Sequence, residues 1–233
     1  MNVLAIDTSS PLLSVALQSK HTGILEETLE GFYTHAENLL PTIGNLLEKA
    51  SLSLEQIDAY LIGRGPGSFT GLRIGFATFK GFLASQKKDC YGALALDMIA
   101  ENVEPGSFER LGVCLDAFRE RIYTRFYESR SGMWMASSEP KVLTFEIVRQ
   151  YLSRGTGIAG NALSKYATAF ASMVPETGLL PQSTWFPRAS TLIHWFNKRD
   201  NRLTQLKEPA DFIPLYFRLS EAEERKRDHV NHH

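Results

Sequence analysis

The sequence predicts an α/β fold of mixed sheets flanked by helices, on three observations. Short apolar runs bounded by turn residues, such as VLAID (Val3 to Asp7) and IDAYLIG (Ile57 to Gly63), read as buried strands. Between them lie stretches with apolar residues at helical spacing. The order is three strands, helix, strand, helix, strand, helix; a meander followed by alternating units suits a mixed sheet with helices on its faces.

Each element has its own justification. VLAID is followed by LLSVALQ (Leu12 to Gln18), also apolar and rich in strand formers. His21, Thr22 and Gly23 turn the chain into a third strand, ILEETLE. THAENLLPTIGNLLEKA is the first helix: Leu39, Ile43, Leu46 and Ala50 share one face, with Leu40 and Leu47 on its flank. Thr34 and Glu37 have the capping-box spacing, and Pro41 predicts a kink or a late start. After IDAYLIG, a glycine-rich loop leads into a second helix from about Gly71 to Gln86, with Leu72, Phe76, Phe79 and Leu83 on its core face. CYGALAL is a strand or a strand-to-helix passage, and Asp97 to Val103 a helix. The ribonuclease H-like half-domain has this order.

The second half carries a fainter version of the same pattern. LGVCLDAF and RIYTRFYES form a hairpin through Arg119 and Glu120, TFEIVRQYL a helix, GIAG a short strand, and NALSKYATAF and TLIHWFNKR two helices. We expect residues 1–104 to form a first lobe and 105–219 a degenerate second copy. Residues 220–233 read as a charged tail, frayed or disordered.

Composition narrows the function classes. Hydrophobic content of 43% and charged content of 22% are those of an ordinary soluble globular protein. The formal net charge is -1, without the basic excess of a stand-alone nucleic-acid binder, so any RNA must be gripped mostly by something else. Cys90 and Cys114 lie in apolar surroundings and read as core residues, not as a disulfide framework. No stretch is long and apolar enough to span a membrane, and the cytoplasm is the expected location.

The loop LIGRGPGSFTGLRIG, Leu61 to Gly75, is the first candidate for chemistry. Counted from Gly65, a Walker A loop needs glycine and lysine where Thr70 and Gly71 stand. A dinucleotide fingerprint fits Gly65 and Gly67, but its third glycine comes one residue late, at Gly71. The glycines then serve either tight turning and close packing or anion binding at a helix N-terminus. Ser68 as a nucleophile lacks a relay, because none of the six histidines has an identifiable partner role.

Three passages together resemble the TsaB (YeaZ) family: LAIDTSSPLLSVAL, the span from HAENLLPTIGNLLEKA through LIGRGPGSFTGLRIGFATFKGF, and LDAFRERIY. EPADFIPLYFR loosely resembles that family's closing strand. The resemblance is specific through Leu83, moderate to about Tyr127, and thin from Ser129 to Lys207. It implies an actin-like ATPase (ASKHA) architecture of two ribonuclease H-like lobes. It also implies a non-catalytic subunit of the machinery that makes threonylcarbamoyladenosine at position 37 of tRNA. The implied partners are a TsaD-like catalytic paralogue, a TsaE-like ATPase, tRNA through the complex, and a second copy of the chain in isolation. No cofactor is implied to bind this chain tightly; ATP and a metal belong to the partners.

The paralogy makes specific expectations. Catalytic relatives carry H-x-x-x-H after the glycine helix, and Ala95 and Ile99 stand in those positions here, unable to donate to a metal. Asp7, Thr8 and Ser9 match the turn that meets phosphate or magnesium in actin-like ATPases; they are either a vestigial nucleotide contact or a strand-to-turn cap. The family often has Arg where Phe118 stands. Gly71 and Gly75, four apart, let another backbone come close, either a partner's or this chain's own sheet. The expected partner face is His35, Leu39, Leu40, Ile43 and Leu47 on the first helix, with Gly67, Ser68, Phe69, Thr70, Gly71, Arg73 and Gly75 on the loop and second helix. The rival readings are an actin-fold small-molecule kinase or ATPase, for which only Asp7 offers a carboxylate, and a peptidase, for which no metal motif or nucleophile relay is present.

Overall fold

The structure, a computed structural model, describes residues 1–31, 34–172, 178–207, 211–215 and 217 of the 233-residue chain. The expected tail, 220–233, lies outside the described residues. The first three strands, β1 (Val3–Asp7), β2 (Leu12–Ser19) and β3 (Gly23–Glu30), form the antiparallel meander. Helix α1 (His35–Lys49) leads to β4 (Ala59–Gly63), parallel to β1; helix α2 (Phe69–Ser85) leads to β5 (Asp89–Ala93), parallel to β4. A short helix, α3 (Ala95–Ala100), closes this half.

The side chains of β1 alternate, and that alternation builds two layers. Leu4 and Ile6 face α1 and α2, meeting Leu39, Ile43, Leu46, Phe76 and Phe79. Val3 and Ala5 face the other way, meeting Met98 of α3. Leu4, Ile6, Leu39, Leu46 and Phe79 are all buried, and burial of each such side chain stabilises by about 1.5–3 kcal/mol.

The second sheet starts with β6 (Arg110–Asp116) and β7 (Arg121–Arg130), the expected hairpin. Its turn places Phe118, Arg119 and Glu120 in left-handed backbone, at φ of 59°, 50° and 60°. Strands β8 (Met133–Ala136) and β9 (Lys141–Thr144) pair with opposite ends of β7. After α4 (Phe145–Val148), β10 (Thr156–Ala159) pairs parallel with β6, and α5 (Leu163–Ala171) follows. The strand orders are β10-β6-β7-β8 here and, in the first sheet, a six-strand order that ends on β3. The molecule is thus a mixed α/β fold of two sheets flanked by helices.

Several expectations change. The 104/105 division does not hold along the chain, because α6 (Ala189–Lys198) and β11 (Thr204–Gln205) return to the first sheet. Ala189, Leu192, Ile193 and Trp195 cover Val3, Ala5, Ala16 and Leu61, and β11 pairs antiparallel with β5. An amphipathic helix announces that one face is buried, not which sheet it meets. Asp211 to Leu215 is not a strand; Phe212 sits in the first core and its ring meets Phe76 edge-on at 6.1 Å. Thr34 makes no side-chain cap: its own backbone is near-helical and its hydroxyl donates to the Gly31 carbonyl at 3.4 Å. Pro41 stays within α1 without delaying its start; it and Glu37, whose carbonyl loses its amide partner, are both exposed. Cys90 and Cys114 are free and buried, and burial pushes both thiols up to about 12. Among the described residues, no helix is long and apolar enough to cross a membrane.

Candidate functional site

The glycine loop and the turn after β1 are built into each other. Ser68 is the N-cap of α2, its hydroxyl accepting from the Gly71 amide at 3.1 Å. The cap lets α2 start two residues before the expected Gly71. The amide of Ser68 in turn donates to the carbonyl of Ser9 at 2.6 Å. A Cβ on Gly67 would overlap the Ser9 carbonyl, one on Gly71 the Thr8 carbonyl, and one on Gly75 would stand 2.5 Å from the Thr8 hydroxyl. These glycines therefore serve close packing against this chain's own turn.

Asp7 lies at the centre. Its Oδ1 accepts from the Ser9 amide at 3.0 Å and the Ser9 hydroxyl at 2.8 Å. Its Oδ2 is buried with no hydrogen-bond partner among the described residues, and a Cβ on Gly63 would overlap it. Burial raises the Asp7 carboxyl to about 6, against the pull of the two Ser9 bonds. The Thr8 hydroxyl is likewise buried and unpartnered among the described residues. Asp7, Thr8 and Ser9 are thus inside the fold, and the two bonds between Asp7 and Ser9 form a strand-to-turn cap.

The expected partner face divides between core and surface. His35 is buried, and its Nε2 donates to the Ser10 carbonyl at 2.8 Å, fixing the same turn from the α1 side. Leu39 and Ile43 belong to the first core, Gly71 and Gly75 are buried, and Leu47 is half-buried against that core. Gly67, Ser68 and Phe69 are half-buried. Leu40, Thr70 and Arg73 are exposed, with the Arg73 guanidinium 4.4 Å over the Phe69 ring. The outer sides of both helices also present Gly44 and Gly81, where a Cβ would meet nothing within 4 Å, and Ala77. Close approach by another molecule is open at Gly44 and Gly81, not at Gly71 and Gly75.

Ala95 and Ile99 are fully buried; Ile99 packs on the second sheet, and the Ala95 amide donates to the Gly65 carbonyl at 2.7 Å. These positions do not fit a metal. Among the described residues, no group of three or more His, Cys, Asp or Glu side chains comes together to hold one. Between them sits a residue that motif reasoning missed. Asp97 accepts two bonds from Arg125 Nη1, at 2.8 and 2.9 Å, and one from the Tyr127 hydroxyl at 2.6 Å. Burial and the Asp97 charge push the Tyr127 phenol well above its ordinary range, which keeps it a donor. The signal was an acid inside the apolar run ALALDMIA.

Residues 16–185 match the family model described as TsaD: tRNA N6-adenosine threonylcarbamoyltransferase. The tRNA threonylcarbamoyladenosine biosynthesis protein TsaB of Bacillus subtilis is 26% identical over 96% of each chain. The protein of that name in Escherichia coli is 29% identical over 67% of this chain and 68% of its own. The chain belongs to this family, in its TsaB (YeaZ) branch. Among solved structures, YeaZ from Pseudomonas aeruginosa is 26% identical, with a TM-score of 0.70 over 92% of this chain and all of that one. A Pseudomonas aeruginosa protein described as similar to peptidase YeaZ is 25% identical, with a TM-score of 0.73 over 93% and 99%. In this chain the LAIDTSS turn is a packing element, and the glycine loop is its counterpart.

Proposed function

We propose that this TsaB-type chain is a non-catalytic scaffold and activator subunit in the synthesis of threonylcarbamoyladenosine at position 37 of tRNA. It partners a TsaD-like catalytic subunit, a TsaE-like ATPase joins the pair, and tRNA is reached through the complex. ATP and the metal belong to those partners. The role of its relatives in tRNA modification carries a cytoplasmic location with it. We also read the two sheets as ribonuclease H-like lobes of actin-like (ASKHA) architecture. In support, β1 pairs antiparallel with β2 and parallel with β4, and β6 repeats this with β7 and β10.

The observation that carries the non-catalytic reading is the filling of the would-be metal positions by buried Ala95 and Ile99. The rival chemistries find no support at the loop: Asp7 is fully buried, and Ser68 is committed to capping α2. The partner face in this reading is the outer side of α1 and α2, around Leu40, Gly44, Thr70, Arg73, Ala77 and Gly81. One patch serving both a paralogous partner and a second copy fits a pseudo-two-fold contact.

Gly44→Leu and Gly81→Leu test it. A Cβ at either position meets nothing within 4 Å among the described residues, both glycines are exposed, and each substitution replaces a helical glycine at a gain of up to about 1 kcal/mol. Folding is therefore retained, while sedimentation should show the homodimer and the complex with the catalytic subunit both lost. Folded variants that still form both assemblies would put the interface elsewhere.

A further inference from the structure

All six residues of α3 are buried, and they are divided between the two sheets. Met98 belongs to the apolar cluster of the first sheet; Leu96, Ile99 and Ala100 belong to that of the second. Asp97 points its carboxylate at Arg125 and Tyr127 on β7, and Arg125 Nε also donates to the Ser138 carbonyl at 3.0 Å. Just beyond α3, the Trp134 indole donates to the Val103 carbonyl at 2.7 Å.

Among the described elements, the chain passes from the first sheet to the second after α3 and returns before α6. These two crossings are tied together. Asn102 on the first donates from Nδ2 to the Phe186 carbonyl at 2.8 Å and the Thr184 carbonyl at 3.4 Å on the second. Arg202, 4.2 Å over the Trp195 ring, bonds Glu101 at the end of α3 and Asp200 after α6. Domain motion needs a few connecting residues free to change φ and ψ. Here both connections are bonded to each other, and the α3 beside them is fixed by directional, charge-assisted bonds that an apolar contact would not impose.

We propose that these contacts lock the two sheets at one fixed angle, so that the protein works as a rigid platform, with Asp97 and Asn102 the positioning residues of the lock. For the assembly, resting on the function proposed above, a partner held on α1 and α2 then finds the second sheet in a set place.

Pulsed electron resonance distances between spin labels at Glu48 on α1 and Met135 on β8, both exposed, test the lock in the isolated chain. The wild type should give one narrow distribution. Asp97→Ala with Asn102→Ala should broaden it, while hydrogen exchange in β1 and β6 stays protected. If that pair fails to fold, Tyr127→Phe with Asn102→Ala removes fewer bonds and should broaden it less. A broad wild-type distribution, or an unchanged one in a folded double variant, overturns the lock. In the reconstituted complex, the variant should bind the catalytic subunit within about twofold of wild type while turnover falls by about tenfold or more, as misplaced geometry does. Wild-type turnover with a broadened distribution overturns the platform role. A wild-type chain that fails to bind or stimulate the catalytic subunit overturns the proposed function instead, and the distances then decide the lock alone.

Discussion

The Ser68 amide and the Ser9 carbonyl meet at 2.6 Å, fastening the start of α2 to the turn after β1. The glycines of α2 follow from this contact. Gly71 and Gly75 bring the helix down onto Thr8, so their four-residue spacing records an internal fit.

Gly75→Ala should therefore destabilise the monomer. The new methyl would stand 2.5 Å from the Thr8 hydroxyl and 3.4 Å from Ile6. Overpacking of this kind costs roughly 1–3 kcal/mol, offset in part by up to about 1 kcal/mol from replacing a helical glycine. Urea denaturation should show a lowered midpoint with an unchanged slope, at any protein concentration. Unchanged monomer stability with weakened dimerisation would return Gly75 to an intermolecular role.

Ser68→Ala should cost about 1 kcal/mol, the ordinary loss of a helix cap, and leave the activity of the reconstituted complex within a few-fold of wild type. Its hydroxyl oxygen is taken by the Gly71 amide. A loss of about a thousandfold in a folded variant, the scale of a lost nucleophile, would contradict the capping role.

What could be read in advance differs from residue to residue for physical reasons. Leu4, Ile6, Leu39 and Ile43 were legible because period-2 and period-3.6 patterns report burial directly. Gly71 and Gly75 were legible as a close approach, but spacing does not say what approaches, and Thr8 is 63 residues from Gly71 by number. The return of α6 to the first sheet was illegible for the same reason: its stripe fits any apolar surface. Asp97 belongs to no motif, so its position was legible only through the principle that a buried acid demands partners wherever it occurs. The interface residues expected on α1 mixed core with surface, since Leu39 and Leu40 are adjacent in sequence but occupy opposite conditions, one buried and one 56% exposed.

The last prediction concerns Asp7 and pH. Its carboxyl is raised from an ordinary 3.8 to about 6 by burial. His35 on α1 bonds the Ser10 carbonyl and Arg64 on the loop the Asp211 carbonyl, while among the described residues Asp7 is bonded by Ser9. The unfolded chain gives up this proton near 3.8 and the folded chain near 6, so the folded state binds more protons in between. Stability from this group is therefore fully present at low pH, declines as pH rises from about 4 to about 6, and is level above. The raised value corresponds to a decline on the order of 3 kcal/mol. Asp7→Asn keeps an oxygen for both Ser9 bonds and removes the charge. Urea midpoints taken from pH 4 to pH 8 should lose this slope in the variant, and the variant should gain on the wild type above pH 6. Parallel profiles for the two proteins would show that Asp7 titrates as an ordinary carboxylate and that its burial is relieved by a partner, such as water, at Oδ2.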